Sequence, residues 1–224
     1  MADRATGMTA FAAGALACLM MAGCSDPTVN LESGDADETI RALRQCAKTP
    51  SEKVVERVAQ VVSHEDTMVA AEAVRSLGRM QHPKAVETLA DVAGGKTDRR
   101  SALRQEAVVQ LGRLREAREA VLPVLRDVVQ HDPDPRVRGA AAVSLSKQQS
   151  LLDVPLLMEV AENETDRVVQ AQAVGAVERM VGLKFGYDPS ASQEEREAAL
   201  RRMRRVAGPA AAAVKHRRQR LGME

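Results

Sequence analysis

The stretch VLPVLRDVVQHDPDPRVRGAAAVSL, Val121 to Leu145, holds two amphipathic runs joined by a turn. Val121 to Val129 is the first run. In the second, Val137, Ala141 and Leu145 stand at i, i+4 and i+8, which places them on one stripe of a helix. Between them lies HDPDP. Asp132 and Asp134 suit turn geometry, and Asp134 stands seven residues before Ala141, where an N-cap accepts a backbone N–H. The stretch reads as helix, short turn, helix.

Working outward, the second half of this unit recurs. AVRSLGRM begins at Ala73, AVVQLGRL at Ala107 and AAVSLSKQ at Ala141, a spacing of 34 residues each time, and AVGAVERM follows 32 residues later at Ala173. Four residues before these alanines stand Val69, Leu103, Val137 and Val169, and four after them stand Leu77, Leu111, Leu145 and Val177. Asp66, Asp134 and Asp166 take the N-cap place. In the second unit Asp98 comes two residues early, beside Gly94-Gly95-Lys96, which predicts an inserted loop. Further amphipathic runs lie upstream of each marker, at Val54–Val62, Val86–Val92, Val121–Val129 and Val154–Val160. One helical hairpin cannot bury its own apolar face, so neighbours must stack. The expected class is all-α, a right-handed solenoid of about four hairpins with capping helices at each end.

Composition agrees. The chain of 224 residues has no Trp, one Tyr and two Phe. Its apolar residues are mainly Ala, Val, Leu and Met, which suit close helix packing rather than the wide gaps between the layers of a sandwich. Thirty-two basic residues meet thirty-one acidic ones for a net charge of +1, so no global field points to nucleic acid.

Tetratricopeptide units share the 34-residue period but use Trp, Tyr and Phe, and the ankyrin T-P-L-H-x-A signature is missing. The 121–145 stretch instead resembles HEAT repeats, with Pro in the first helix and Asp-x-x-Val-Arg opening the second. Pro123 and Pro155 each stand 18 residues before their alanine and are expected to kink the first helices. The resemblance covers about residues 51 to 181. Its short period is similar to the compact HEAT-like units of bacterial proteins and of phycobilin lyases.

Residues 36 to 48, with Cys46, read as a lead-in helix. After Val181 the phase breaks at GLKFGYDPSAS, whose Phe185 and Tyr187 are expected to pack over the solenoid end. Ser192 and Glu195 form a capping box. A helix then runs to Val206, Gly208-Pro209 should break it, and a basic helix should reach about Leu221.

At the other end Arg4 precedes an apolar run, Phe11 to Met21, too short for a bilayer span of ~20 residues but suited to a signal peptide. Met21-Ala22-Gly23-Cys24 resembles a bacterial lipobox. That resemblance implies cleavage before Cys24, acylation of its thiol, anchorage in the bilayer and, with Ser25 next, the periplasmic face of the outer membrane. A non-lipidated signal peptide or an N-terminal helix is the alternative. The division is therefore 1–23 signal peptide, 24–37 acylated N-terminus and linker, 38–181 solenoid, and 182–224 loop and basic capping helices.

Chemistry has no visible seat. His64-Glu65 is a single pair, whereas the deoxyhypusine hydroxylases, which carry such pairs on HEAT-like repeats, need several to hold two metals. His82, His131 and His216 share no repeat column, and the cysteines Cys18, Cys24 and Cys46 form no CxxC pair. The expectation is a non-enzyme with no metal and no cofactor, binding an envelope protein and no nucleic acid. An envelope enzyme accessory or lyase-like protein is the alternative. The candidate surface is a column six residues after each marker alanine: Arg79, Arg113, Lys147 and Arg179. Cations at helix C-termini complement the dipole, and a stacked ladder of them would also receive an acidic partner. Arg104 and Arg138 start a second ladder, interrupted by Ala70 and Gln170.

Overall fold

The computed structural model describes residues 28–220. Cys24, Cys18, the apolar run before them and Leu221 lie outside the described residues. Within these bounds the protein is an all-α solenoid of ten α-helices with two short 3₁₀ turns. Helix α1 (Ala36–Cys46) leads in. Four hairpins follow: α2 (Glu52–Val61) with α3 (Thr67–Met80), α4 (Pro83–Ala93) with α5 (Ser101–Leu111), α6 (Arg118–His131) with α7 (Pro135–Gln148), and α8 (Val154–Asn163) with α9 (Arg167–Val181). A long helix, α10 (Gln193–Arg220), closes the chain.

The helices stack in two layers. The second helices pack in the order α1, α3, α5, α7, α9, and the first helices in the order α2, α4, α6, α8, with α10 against α8. Leu77, Leu111, Leu145 and Val177 are fully buried at matching places of the inner stripe. Val58, Leu89, Leu125 and Leu157 of the first helices meet them, also fully buried. Burying an aliphatic side chain of this size contributes ~1.5–3 kcal/mol, so the repeated stripe dominates stability. Asp66, Asp134 and Asp166 cap α3, α7 and α9 by accepting N–H bonds from the first turn. The second helices approach closely where side chains are smallest. A Cβ added to Gly112 would lie 2.6 Å from the Ser144 Cβ and 3.0 Å from its Cα.

Several expectations needed correction. The segment read as a free linker is packed from Thr28 onward: a 3₁₀ turn spans Val29–Glu32 and Leu31 joins the core. Leu31 reaches a ready apolar site while its neighbour Val29 stays exposed, a choice without periodicity to announce it. Pro155 lies in the first turn of α8, where no N–H is needed, and so removes no hydrogen bond; only Pro123 sits inside its helix. Gly208-Pro209 does not end the last helix, since α10 runs through both. Proline clashes with the Cβ of the residue before it, and Gly208 has none. Met203, Ala207 and Ala211, buried on either side of the pair, hold the two halves in line.

At the far end the expectations hold. Ser192 and Glu195 exchange the two backbone bonds of a capping box. Phe185 is buried in the core, its N–H donating to Glu178, while the Tyr187 hydroxyl donates to Gln170.

Candidate functional site

Arg79, Arg113, Lys147 and Arg179 stand at or just past the C-terminal ends of α3, α5, α7 and α9, all exposed. The structure divides them. Arg79 belongs to an ion cluster around Glu72, which is 3% exposed. The Glu72 carboxylate accepts from Arg44 of α1 at 3.1 Å, from Arg75 at 3.2 Å and from Arg79 at 3.0 Å. Burial alone would push its pKa up. The three guanidiniums outweigh that and hold it below the usual carboxylate range.

The other three cations lack such a partner. Arg113 donates to the Gln110 amide oxygen at 3.4 Å, and Arg179 reaches across to α7 to donate to the Ser146 hydroxyl at 3.1 Å. Among the described residues, none of Arg113, Lys147 and Arg179 forms an ion pair with a carboxylate. Crowding of its ammonium, then the charges of Arg113 and Arg179, lower the Lys147 pKa. Lys147 therefore lies within the field of both arginines, and the three make a single basic row.

A column one residue before each marker alanine explains the division for Lys147 and Arg179. Arg113 is left over because Glu106 is taken by Arg75 and by the Gln110 amide N–H at 2.7 Å. It reads Glu72, Glu106, Ala140, Gln172. This column and the basic one are seven residues apart, two helical turns, and so share a face. Each glutamate also reaches back to the preceding second helix: Glu72 to Arg44, and Glu106 to Arg75 at 3.4 Å. Ala140 and Gln172 carry no charge for the last two hairpins. The column was open to reading in the sequence, but its meaning needed the register between neighbouring helices.

The second ladder is not a free surface. Arg104 is buried and forms a two-pronged pair with Asp132 at 2.8 and 2.9 Å. Arg138 pairs likewise with Glu164, at 2.8 and 2.9 Å. Asp132 and Glu164 end the first helices of the following hairpins. Each arginine thus staples one hairpin to the next: Arg104 is buried, and the half-buried Arg138 has its guanidinium taken by Glu164 and the Asp132 carbonyl. Gln170, in the same column, donates instead to the Ala161 carbonyl at 2.8 Å.

The histidines have local work. His64 accepts the Asp66 N–H, His82 caps α4 by accepting the Lys84 N–H, and His131 pairs with Asp127 at the exposed end of α6. Among the described residues no group of three His, Cys, Asp or Glu is placed to hold a metal, and no helix is long and apolar enough to cross a membrane. Cys46 is buried. A groove of 810 Å³ runs between α6, α8 and α10, floored by Pro123, Pro155, Leu156 and Met158 and walled by Gly208 and Ala211. Ending the last helix at Gly208 had hidden this wall from the sequence reading.

HEAT repeats match residues 26–103 and 96–178. The chain belongs to the HEAT-repeat family. The match takes in α1, so the lead-in helix is part of the HEAT array. Among solved structures, a chain from the complex of CpcE and CpcF of phycocyanin lyase from Nostoc sp. PCC7120 is similar, with 20% identity and a TM-score of 0.50. That alignment covers 70% of this chain and 64% of the other, and it shows the shared fold alone. An engineered protein aligns over 85% of this chain and 95% of its own at 18% identity, with a TM-score of 0.47. No curated protein matches in sequence. The HEAT hairpins thus present one unpaired basic row, Arg113, Lys147 and Arg179, on the ends of their second helices.

Proposed function

We propose that this HEAT-repeat protein is a non-catalytic scaffold, anchored by an acyl chain on Cys24, that holds a protein partner of the cell envelope. One observation carries the binding role: three exposed cations share a face without a carboxylate among them. Dipole compensation supplies a reason for one cation per helix. It gives no reason for leaving Lys147 to face two like charges, and uncompensated charge in one place is a common mark of a binding surface. The apolar run before the lipobox-like Met21-Ala22-Gly23-Cys24 supports the anchor, and the proposed site is the periplasmic face of the outer membrane. No nucleic acid and no cofactor enters this reading. The second reading is an envelope enzyme accessory or lyase-like protein, which the fold likeness to the phycocyanin lyase chain favours.

Capture from detergent-solubilised envelope, using the tagged full chain, tests the proposal. Arg113→Glu with Lys147→Glu should abolish capture while thermal stability changes little; unchanged capture would remove the row from function. Replacing Cys24 by Ala should move the protein out of the membrane fraction and leave no acyl mass. A variant as membrane-bound as wild type would end the anchor.

A further inference from the structure

The two halves of the solenoid treat the same slot differently. In the first two hairpins the slot beside the basic column is filled by the carboxylates of Glu72 and Glu106. Each reaches back to a basic residue on the preceding second helix, and Glu72 also takes the cation two turns along its own helix. Glu106, in the same place before Arg113, is taken by Arg75 and Gln110. By the seven-residue spacing of Glu72 and Arg79 on one helix, a carboxylate at residue 140 would serve Lys147 and one at residue 172 would serve Arg179. Ala140 and Gln172 stand there instead. Gln172 lays its amide over Gly139 of α7, where a Cβ would collide with it. Arg179 is already turned toward α7 by its bond to Ser146. The basic side of the slot is assembled and its acidic side is missing.

We infer that an acidic polypeptide partner supplies the missing carboxylates, docking Glu or Asp side chains between α5, α7 and α9 against Arg113, Lys147 and Arg179. This rests on the scaffold reading above and names the partner's chemistry. The fold itself identifies carboxylate as the fitting group, because Glu72 shows one carboxylate accepting three guanidinium bonds in the equivalent place. Second helices pack ~8–10 Å apart, so a chain laid across their ends meets one cation per helix. Acidic residues separated by two or three positions of extended chain match that interval.

The test uses the full chain in detergent and a short fluorescein-labelled oligoglutamate peptide, read by anisotropy, with oligoglutamine and inorganic polyphosphate beside it. The peptide should bind, more weakly as salt rises, and oligoglutamine should not. Lys147→Glu should weaken binding about tenfold or more. Gln172→Glu keeps the side-chain shape, so folding is secure; it fills the slot from within and should weaken binding about threefold to tenfold. Arg205→Gln, on the exposed face of α10, should bind as wild type. An NMR titration of the Lys147 ammonium should show its pKa rise in Gln172→Glu, because the new carboxylate offsets the charge of Arg179 that lowers it. Wild-type binding by Lys147→Glu, or loss of binding in Arg205→Gln instead, overturns the inference. So does polyphosphate binding more tightly than oligoglutamate with the same sensitivity to these variants. Envelope capture that survives while the peptide fails would leave the scaffold reading standing and remove this one.

Discussion

The first and third hairpins share a backbone plan and differ in how their surface charge is settled. Around Glu72, three arginines from two helices converge on one buried carboxylate. Around Lys147, no carboxylate pairs with the ammonium, and it lies in the field of two arginines. The difference comes from two residues, Ala140 and Gln172, in a column that reads Glu in the first two units. Identical repeats can thus be internally saturated at one end and open at the other without any change of fold.

This contrast concerns the surface, so the core should not share it. Leu77→Ala in the saturated half and Leu145→Ala in the open half remove equally buried side chains. Each should cost ~2–5 kcal/mol in denaturant unfolding, whichever half it lies in. A large asymmetry between them would mean that the halves differ in packing as well as in charge.

Glu72→Gln attacks the saturated half directly. It leaves three guanidiniums around a neutral amide and should cost ~1–3 kcal/mol near neutral pH. The sign with pH follows from the depressed folded pKa. The stabilisation is fully present above the ordinary value of 4.5 and is lost as pH falls through the lower folded value. Wild type should therefore lose stability faster than Glu72→Gln on acidification below about pH 5, the two melting curves drawing together at the acid end.

Lys147→Gln probes the open half and should have the smallest effect. Removing one of three mutually repelling, exposed cations should raise stability or leave it unchanged, within about 0.5 kcal/mol. A clear loss would show that Lys147 has an attractive role in the free protein and would dissolve the contrast.

Much of the array was legible because its causes are local. The i, i+4, i+8 stripe, the aspartate N-caps and the Ser192–Glu195 capping box depend on spacings within one or two turns, and the helices formed as those spacings require. Gly208-Pro209 was misread because a local breaker lost to packing: a glycine before the proline relieves the clash, and Met203, Ala207 and Ala211 hold both sides down. Arg104 and Arg138 were misread for the opposite reason. Their carboxylate partners lie 28 and 26 residues away and reach them only when successive hairpins stack.

The sequence by itself determined the helices, their hairpin pairing, the residues of the buried stripe and the placing of a cation at every second-helix end. Those features follow from chain-local chemistry: side-chain period, caps and dipole. Which of those cations are spent and which remain free was decided only by the tertiary structure. A charge is neutralised by what lies within a few ångströms of it, and in a solenoid that neighbour belongs to the next repeat.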